Sequence, residues 1–232
     1  MSIDKSFSRS ATTYERYSTI QSKVADELLL HVKNHPKTIL DIGCGNGMIA
    51  KKISWEVDRF LGVDFAKKML EMHPKSKNIE CIYGDFDNPE LYEYLYMYDF
   101  DLIISSSSMQ WSKDIDRLFF HISKLNFNSL AFAIFSSKTF KTLHKTADTT
   151  SPLPSAKKII KTAQKYFDVK CYKKQYTLGF KNKKELFSYI KKTGVSGTKN
   201  KLGYKDMIKL IKDYPTNILE FEVVFVVNRI NK

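Results

Sequence analysis

The chain alternates between two hydrophobic rhythms. Short apolar runs of strand length recur at 38–42, 59–64, 79–83, 100–105, 129–135, 169–178 and 220–227. Between most of them lie stretches with apolar residues three or four apart, the spacing of a helix with one buried face. These predict helices from 48 to about 55 and over 65–72, 114–125, 139–147, 155–167, 183–192 and 204–212. Strand and helix in regular alternation predict an α/β fold, a mostly parallel seven-stranded sheet flanked by helices. At 232 residues the chain suffices for one such domain with an insertion or cap. A further amphipathic stretch, 4–33, carries Phe7, Ala11, Tyr14, Tyr17, Ile20, Val24 and Leu28. It precedes the first strand, so it either pads the sheet or folds over a ligand as a lid.

The first strand runs into Leu40-Asp-Ile-Gly-Cys-Gly-Asn-Gly47. Gly43, Gly45 and Gly47 let the backbone turn sharply and approach a ligand where a Cβ would clash. Strand, glycine turn and helix together present free N–H groups to a nucleotide. The spacing is G-x-G-x-G behind Asp41, not the G-x-G-x-x-G of hydride cofactors. A glycine-rich structural turn is the alternative. Asp64 closes the second strand about twenty residues on, where an acid accepts from ribose hydroxyls. It is also a good cap for the helix over 65–72. Phe65 and Met69 would then flank an adenosine. Ser105-Ser-Ser-Ser-Met-Gln-Trp111 ends the fourth strand, at the sheet edge where open α/β sheets bind ligands. It reads equally as a serine-rich loop with Trp111 filling the core.

Composition narrows the class. Net charge is +13, carried by 33 lysines against 5 arginines. A basic chain attracts anionic partners, yet bidentate phosphate recognition favours arginine. The lysines thicken after Lys138, as a binding face or as a compositional bias. No apolar run approaches the ~20 residues of a membrane span, and the first residues lack the hydrophobic core of a signal peptide. Cys44, Cys81 and Cys171 are odd in number and widely spaced. Neither a disulfide framework nor a metal site follows, and a reduced, cytoplasmic protein is expected.

The glycine motif resembles the first motif of class I methyltransferases, which bind S-adenosyl-L-methionine. With the whole order in view, the chain resembles the malonyl-acyl-carrier-protein O-methyltransferases of biotin biosynthesis. The residues that carry this are Phe7-Ser-Arg-Ser-Ala-Thr-Thr-Tyr14 continuing through Tyr17 to Gln21, the glycine motif, Met109-Gln-Trp111, the stretch from Phe135 to Leu143-His144, and Lys192-Thr-Gly194. Ser106 stands where that family usually has asparagine.

The resemblance implies a Rossmann-like class I methyltransferase fold with an N-terminal helical lid. The chain would be a single domain over 1–232: lid helices in 1–34, a cofactor-binding half in 36–136 and a substrate-side half in 137–232. It implies cofactor contacts from Gln21, Asp41, Gly43, Cys44, Gly45, Gly47, Asp64, Phe65, Met69, Gly84, Asp85, Phe86, Ser105 and Ser106, with Asp85 and Phe86 at the adenine; a plain turn acid is the alternative for Asp85. The implied reaction is methyl transfer to the free carboxylate of a malonyl thioester. Tyr14, Gln110, Trp111 and His144 would position it, and Arg9 would attract its charge. An ionised carboxylate needs no general base. The implied partner is an acidic malonyl-acyl-carrier protein on a lysine face, with a monomeric enzyme, no nucleic acid and no membrane. Rival readings are another small carboxylate substrate, RNA methylation, and a non-catalytic assembly factor.

Overall fold

In the computed structural model, residues 18–193 and 204–228 are described. Seven strands form one sheet: β1 (Thr38–Ile42), β2 (Arg59–Asp64), β3 (Ile79–Tyr83), β4 (Asp99–Ser106), β5 (Asn126–Phe135), β6 (Val169–Gly179) and β7 (Ile218–Asn228). Their order is β3-β2-β1-β4-β5-β7-β6. β1 to β5 pair in parallel, and β7 runs antiparallel to both β5 and β6. Strands buried on both faces read as continuous apolar runs. Ile103 and Ile104 in β4 and Val223–Val227 in β7 are such runs, all buried. β6 at the edge instead alternates exposed with half-buried positions.

Helices cover both faces. One core packs α1 (Thr19–Leu29), α2 (Met48–Lys52), α8 (Lys183–Thr193) and α9 (Tyr204–Asp213) through Val24, Ile49, Leu186 and Leu210. The other packs α4 (Pro89–Leu95), α5 (Ile115–Ile122) and α7 (Ala156–Tyr166) through Tyr92, Phe119 and Ile159. α3 (Lys67–Glu71) and α6 (Lys141–Thr146) are shorter. Among the described residues, no helix is long and apolar enough to cross a membrane.

Two elements differ from the sequence reading. α4 is a helix the apolar rhythm did not reveal, although its start is well marked. Asn88 caps it by accepting from the Glu90 N–H at 3.2 Å, and Pro89 occupies the first turn. α2 stops at Lys52, short of residue 55, because Ile53 is extended and the Trp55 indole donates to the Pro36 carbonyl at 3.0 Å. Of the stretch expected to be a lid, residues 1–17 lie outside the described residues. α1 is set into the core, with Ile20, Val24, Ala25 and Leu28 fully buried.

Candidate cofactor and active site

The sheet order reverses between β1 and β4, and a cleft opens at the carboxyl ends of these strands. The turn after β1 is tied to β2, since the Gly43 and Cys44 N–H groups both donate to the Val63 carbonyl, at 2.7 and 3.0 Å. Gly43 (φ +74°) and Gly45 (φ +55°) take the left-handed conformation that disfavours other residues. A Cβ on Gly43 would lie 2.2 Å from Ser108 Oγ, whereas one on Gly45 would meet nothing within 4 Å. Gly45 therefore leaves its side open to the cleft. Asp64 holds the turn from below: Oδ2 accepts from the Gly45 N–H at 2.9 Å and Oδ1 from the Ala66 N–H at 2.8 Å.

The far wall is the loop after β4. Ser105 and Ser108 each donate to the Ile42 carbonyl, at 2.7 and 2.9 Å, stapling β4 to β1. Ser107 turns the chain at φ +63°. Gln110 braces that turn, donating to the Ser107 carbonyl at 2.6 Å and accepting from the Phe135 N–H at 3.4 Å. Asp87 clamps the Asp85–Asp87 turn onto the same loop, accepting from Ser112 Oγ at 2.6 Å and the Lys113 N–H at 2.8 Å.

Of the residues singled out from sequence, Gln21, Gly43, Cys44, Gly45, Asp64, Phe65, Met69, Phe86, Ser106 and Trp111 line the cleft together. The others stand back from it. Asp41 is buried in β1 and Gly47 begins α2. Gly84 follows β3 against Leu91. Asp85 accepts from the Asp87 N–H at 2.9 Å and faces Lys113 at 3.4 Å. His144 is buried on α6, with Nδ1 3.2 Å from Thr149 Oγ1, and burial pushes its pKa down. Arg9 and Tyr14 lie outside the described residues. The cleft also takes in Asn46, Met48, Ala66, Ser107 and Ser108, which sequence reasoning passed over. Asn46 sat between two singled-out glycines, and Ser107 and Ser108 followed a singled-out serine. Adjacency was the available signal.

Asp41 is a perturbed carboxyl close to the cleft. Its carboxyl is fully buried, and neither oxygen has a hydrogen-bond partner among the described residues. Burial pushes its pKa up to about 7, with His73 pulling the other way and Asp64 adding repulsion.

Four cleft-lining residues hold a buried polar atom with no partner among the described residues: Gln21 Oε1, Asn46 Nδ2, Ser106 Oγ and Ser107 Oγ. Buried polar groups are seldom left unpaired. A ligand bearing amine, carboxylate and hydroxyl groups would satisfy them, and Phe65, Met69, Phe86 and Trp111 offer apolar walls to a base.

Residues 39–125 match the methyltransferase domain family. The chain has the fold of a methyltransferase of unassigned substrate from Bacillus halodurans, at TM-score 0.63 and 10% identity over 90% of this chain and 100% of that one. The chain thus carries a methyltransferase domain match over residues 39–125 and the Rossmann-like class I methyltransferase fold. Its cofactor is S-adenosyl-L-methionine, and the cleft with its orphaned polar atoms fits that molecule. Among curated relatives, the malonyl-(acyl-carrier protein) O-methyltransferase of Anoxybacillus flavithermus is 32% identical over 61% of this chain and 56% of that one. Its counterpart in Ilyobacter polytropus is 33% identical over 68% and 62%. The chain thus spans less than two thirds of the length of these relatives.

Proposed function

We propose that this methyltransferase esterifies the free carboxylate of a malonyl thioester carried by acyl-carrier protein, in biotin synthesis in the cytoplasm. The similarity to two malonyl-(acyl-carrier protein) O-methyltransferases carries the reading. When bound, S-adenosyl-L-methionine supplies an activated methyl group on a sulfonium centre. The chain's part in the reaction is small and physical. A carboxylate is ionised at neutral pH, so no residue needs to take a proton. Phe65, Phe86 and Trp111 exclude water, which favours a step that neutralises a cation and an anion. The fixed Gly43–Gly45 turn and the Ser106–Ser107 wall align the partners, and alignment supplies much of the rate.

The arrangement of the remaining residues supports graded roles. Trp111 is the cleft residue nearest in kind to a substrate wall, with Arg9 and Tyr14 as N-terminal contributors. Gln110 acts on the site through the Ser107 turn that it braces. The carrier docks on lysines: Lys157, Lys161, Lys165 and Lys173 flank one surface groove on α7 and β6. Incubating the enzyme with malonyl-acyl-carrier protein and S-adenosyl-L-methionine should add one methyl to the carrier by mass spectrometry. No added methyl, alongside turnover of a tricarboxylic acid or RNA in a labelled-cofactor panel, overturns the assignment.

A further inference from the structure

The register across β1, β2 and β3 sets Asp41 beside Gly62 and Gly62 beside Cys81. Residues aligned across a parallel sheet share a face. Gly62 has no side chain, and Cys44 from the cofactor turn fills the gap. Its Sγ lies 2.8 Å from where a Gly62 Cβ would be. His73 reaches the same point, with Nε2 3.5 Å from it. The Cys44 sulfur and the His73 imidazole therefore gather over one glycine, with Cys81 beside it on the neighbouring strand.

Their contacts are ordered. Cys44 and His73 both act electrostatically on the Cys81 sulfur, and the Cys44 thiol also faces the Gly45 carbonyl at 3.9 Å. His73 Nδ1 is occupied by the Pro74 carbonyl at 3.1 Å, and its buried Nε2 has no hydrogen-bond partner among the described residues. Cys81 is exposed and Cys44 is buried. Cys44 beside it, opposed by burial and aided by His73, holds the Cys81 pKa below its ordinary value, so its thiolate is favoured. Cys171 is half-buried, and burial pushes its pKa up.

We propose that Cys81 and Cys44 form an oxidisable pair, in which exposed Cys81 attacks a hydroperoxide and buried Cys44 closes a disulfide that disables the cofactor cleft. In the first step the Cys81 thiolate attacks the peroxide. The O–O bond breaks, one oxygen stays on sulfur as a sulfenic acid, and the other leaves as water or an alcohol. In the second, the Cys44 sulfur attacks the Cys81 sulfur. The S–O bond breaks, and the sulfenic OH leaves as water with the Cys44 proton. The peroxide is reduced by two electrons and the two thiols are together oxidised by two.

Closure matters because Cys44 belongs to the cleft lining. A disulfide needs its sulfurs at about 2.05 Å, closer than any thiol contact. Drawing Cys44 toward β3 strains the Val63 carbonyl's bonds to the Gly43 and Cys44 N–H groups. Gly43 has no slack to compensate, with Ser108 Oγ against it. By linkage, bound S-adenosyl-L-methionine disfavours closure. The inference depends on the cofactor cleft alone and holds whatever the methyl acceptor is.

The test treats the full chain with equimolar hydrogen peroxide, blocks free thiols, and maps peptides by mass spectrometry. A Cys44–Cys81 cross-link, lighter by two hydrogens, is expected. Calorimetric titration with S-adenosyl-L-methionine should show a loss of about tenfold or more in affinity, restored by dithiothreitol. That reversal separates the disulfide from sulfoxides of Met48 and Met69 in the cleft, which dithiothreitol does not repair. Cys81→Ser should bind cofactor normally and keep its affinity through peroxide treatment, and Cys171→Ser should respond as wild type. The proposal is overturned if Cys171 oxidises while Cys44 and Cys81 stay reduced. It is equally overturned if the cross-link forms with unchanged affinity, or if Cys81→Ser loses affinity like wild type.

Discussion

Asp41→Asn tests whether the acid ahead of the glycine turn is a buried charge held at a cost. The Asp41 carboxyl is 1% exposed, has no hydrogen-bond partner among the described residues, and is raised by burial from 3.8 to about 7. With the folded pKa above the unfolded one, the native state keeps a proton that the unfolded chain has already lost. Stability therefore falls as pH rises from about 4 to about 7, and is level on either side. Each unit is worth about 1.36 kcal/mol. About two units of that window fall between pH 5 and pH 8, so Asp41 should cost the protein about 2–3 kcal/mol across that interval.

Asparagine has nearly the same shape and never ionises, so it should remove this slope. Urea melts of wild type and variant at pH 5, 6, 7 and 8 read it directly, because every other titration cancels in the difference. Asp41→Asn should gain on wild type by about 2–3 kcal/mol between pH 5 and pH 8. A difference that stays flat with pH would refute the reasoning, since it would mean that Asp41 is charged and satisfied in the fold. Repeating the melts with saturating S-adenosyl-L-methionine adds a second reading. If its cationic ammonium group approaches Asp41, the wild-type slope should shrink.

Three further outcomes are expected. Gly45→Val should abolish cofactor binding in calorimetry, because valine is strained at φ +55° and its side chain would enter the open side of the turn; wild-type affinity would remove Gly45 from the site. Asp64→Ala should weaken S-adenosyl-L-methionine binding by about 1–3 kcal/mol, as it frees the Gly45 and Ala66 N–H groups together; Asp64→Asn, which keeps one acceptor, should lose less. Raising ionic strength should raise KM for malonyl-acyl-carrier protein and leave malonyl-pantetheine unaffected, since surface charges are screened within about 10 Å at 0.1 M salt. Reversing Lys157 and Lys161 should reproduce that difference at fixed salt, with Lys75 and Lys77 before β3 as the control pair. Equal salt sensitivity for both substrates would mean that the lysines serve solubility.

The parallel core was legible because its strands are buried on both faces. Ile39–Ile42 and Leu102–Ile104 are buried runs of strand length. The place of β7 was not legible. Its apolar run fits any interior position, and only the pairing of Val223–Val227 with Phe135–Ala131 inserts it antiparallel between β5 and β6. α4 was missed because Pro89 reads as a break, although proline in a first turn removes only an N–H that a helix leaves unpaired. The helical character of α1 was evident, but its depth depends on partners in β4 and β5, far along the chain.

The candidate site divides in the same way between local and distant causes. The glycine turn and Asp64 could be read because their geometry is set by neighbours: positive φ values, a strand end and a helix start. The serine run could not be sorted from sequence. Ser105 and Ser108 give their hydroxyls to one carbonyl of β1, while Ser107 turns at positive φ and the hydroxyls of Ser106 and Ser107 stay unpaired in the cleft wall. Gln110 makes the point most sharply. Its motif marks the position, but the use of its amide is decided by Phe135, 25 residues away, whose N–H it accepts. A brace of this kind acts on chemistry through the wall it holds. Gln110→Ala should therefore loosen the Ser107 turn and raise the KM for both cofactor and acceptor, where loss of a residue touching only the acceptor would leave cofactor affinity alone.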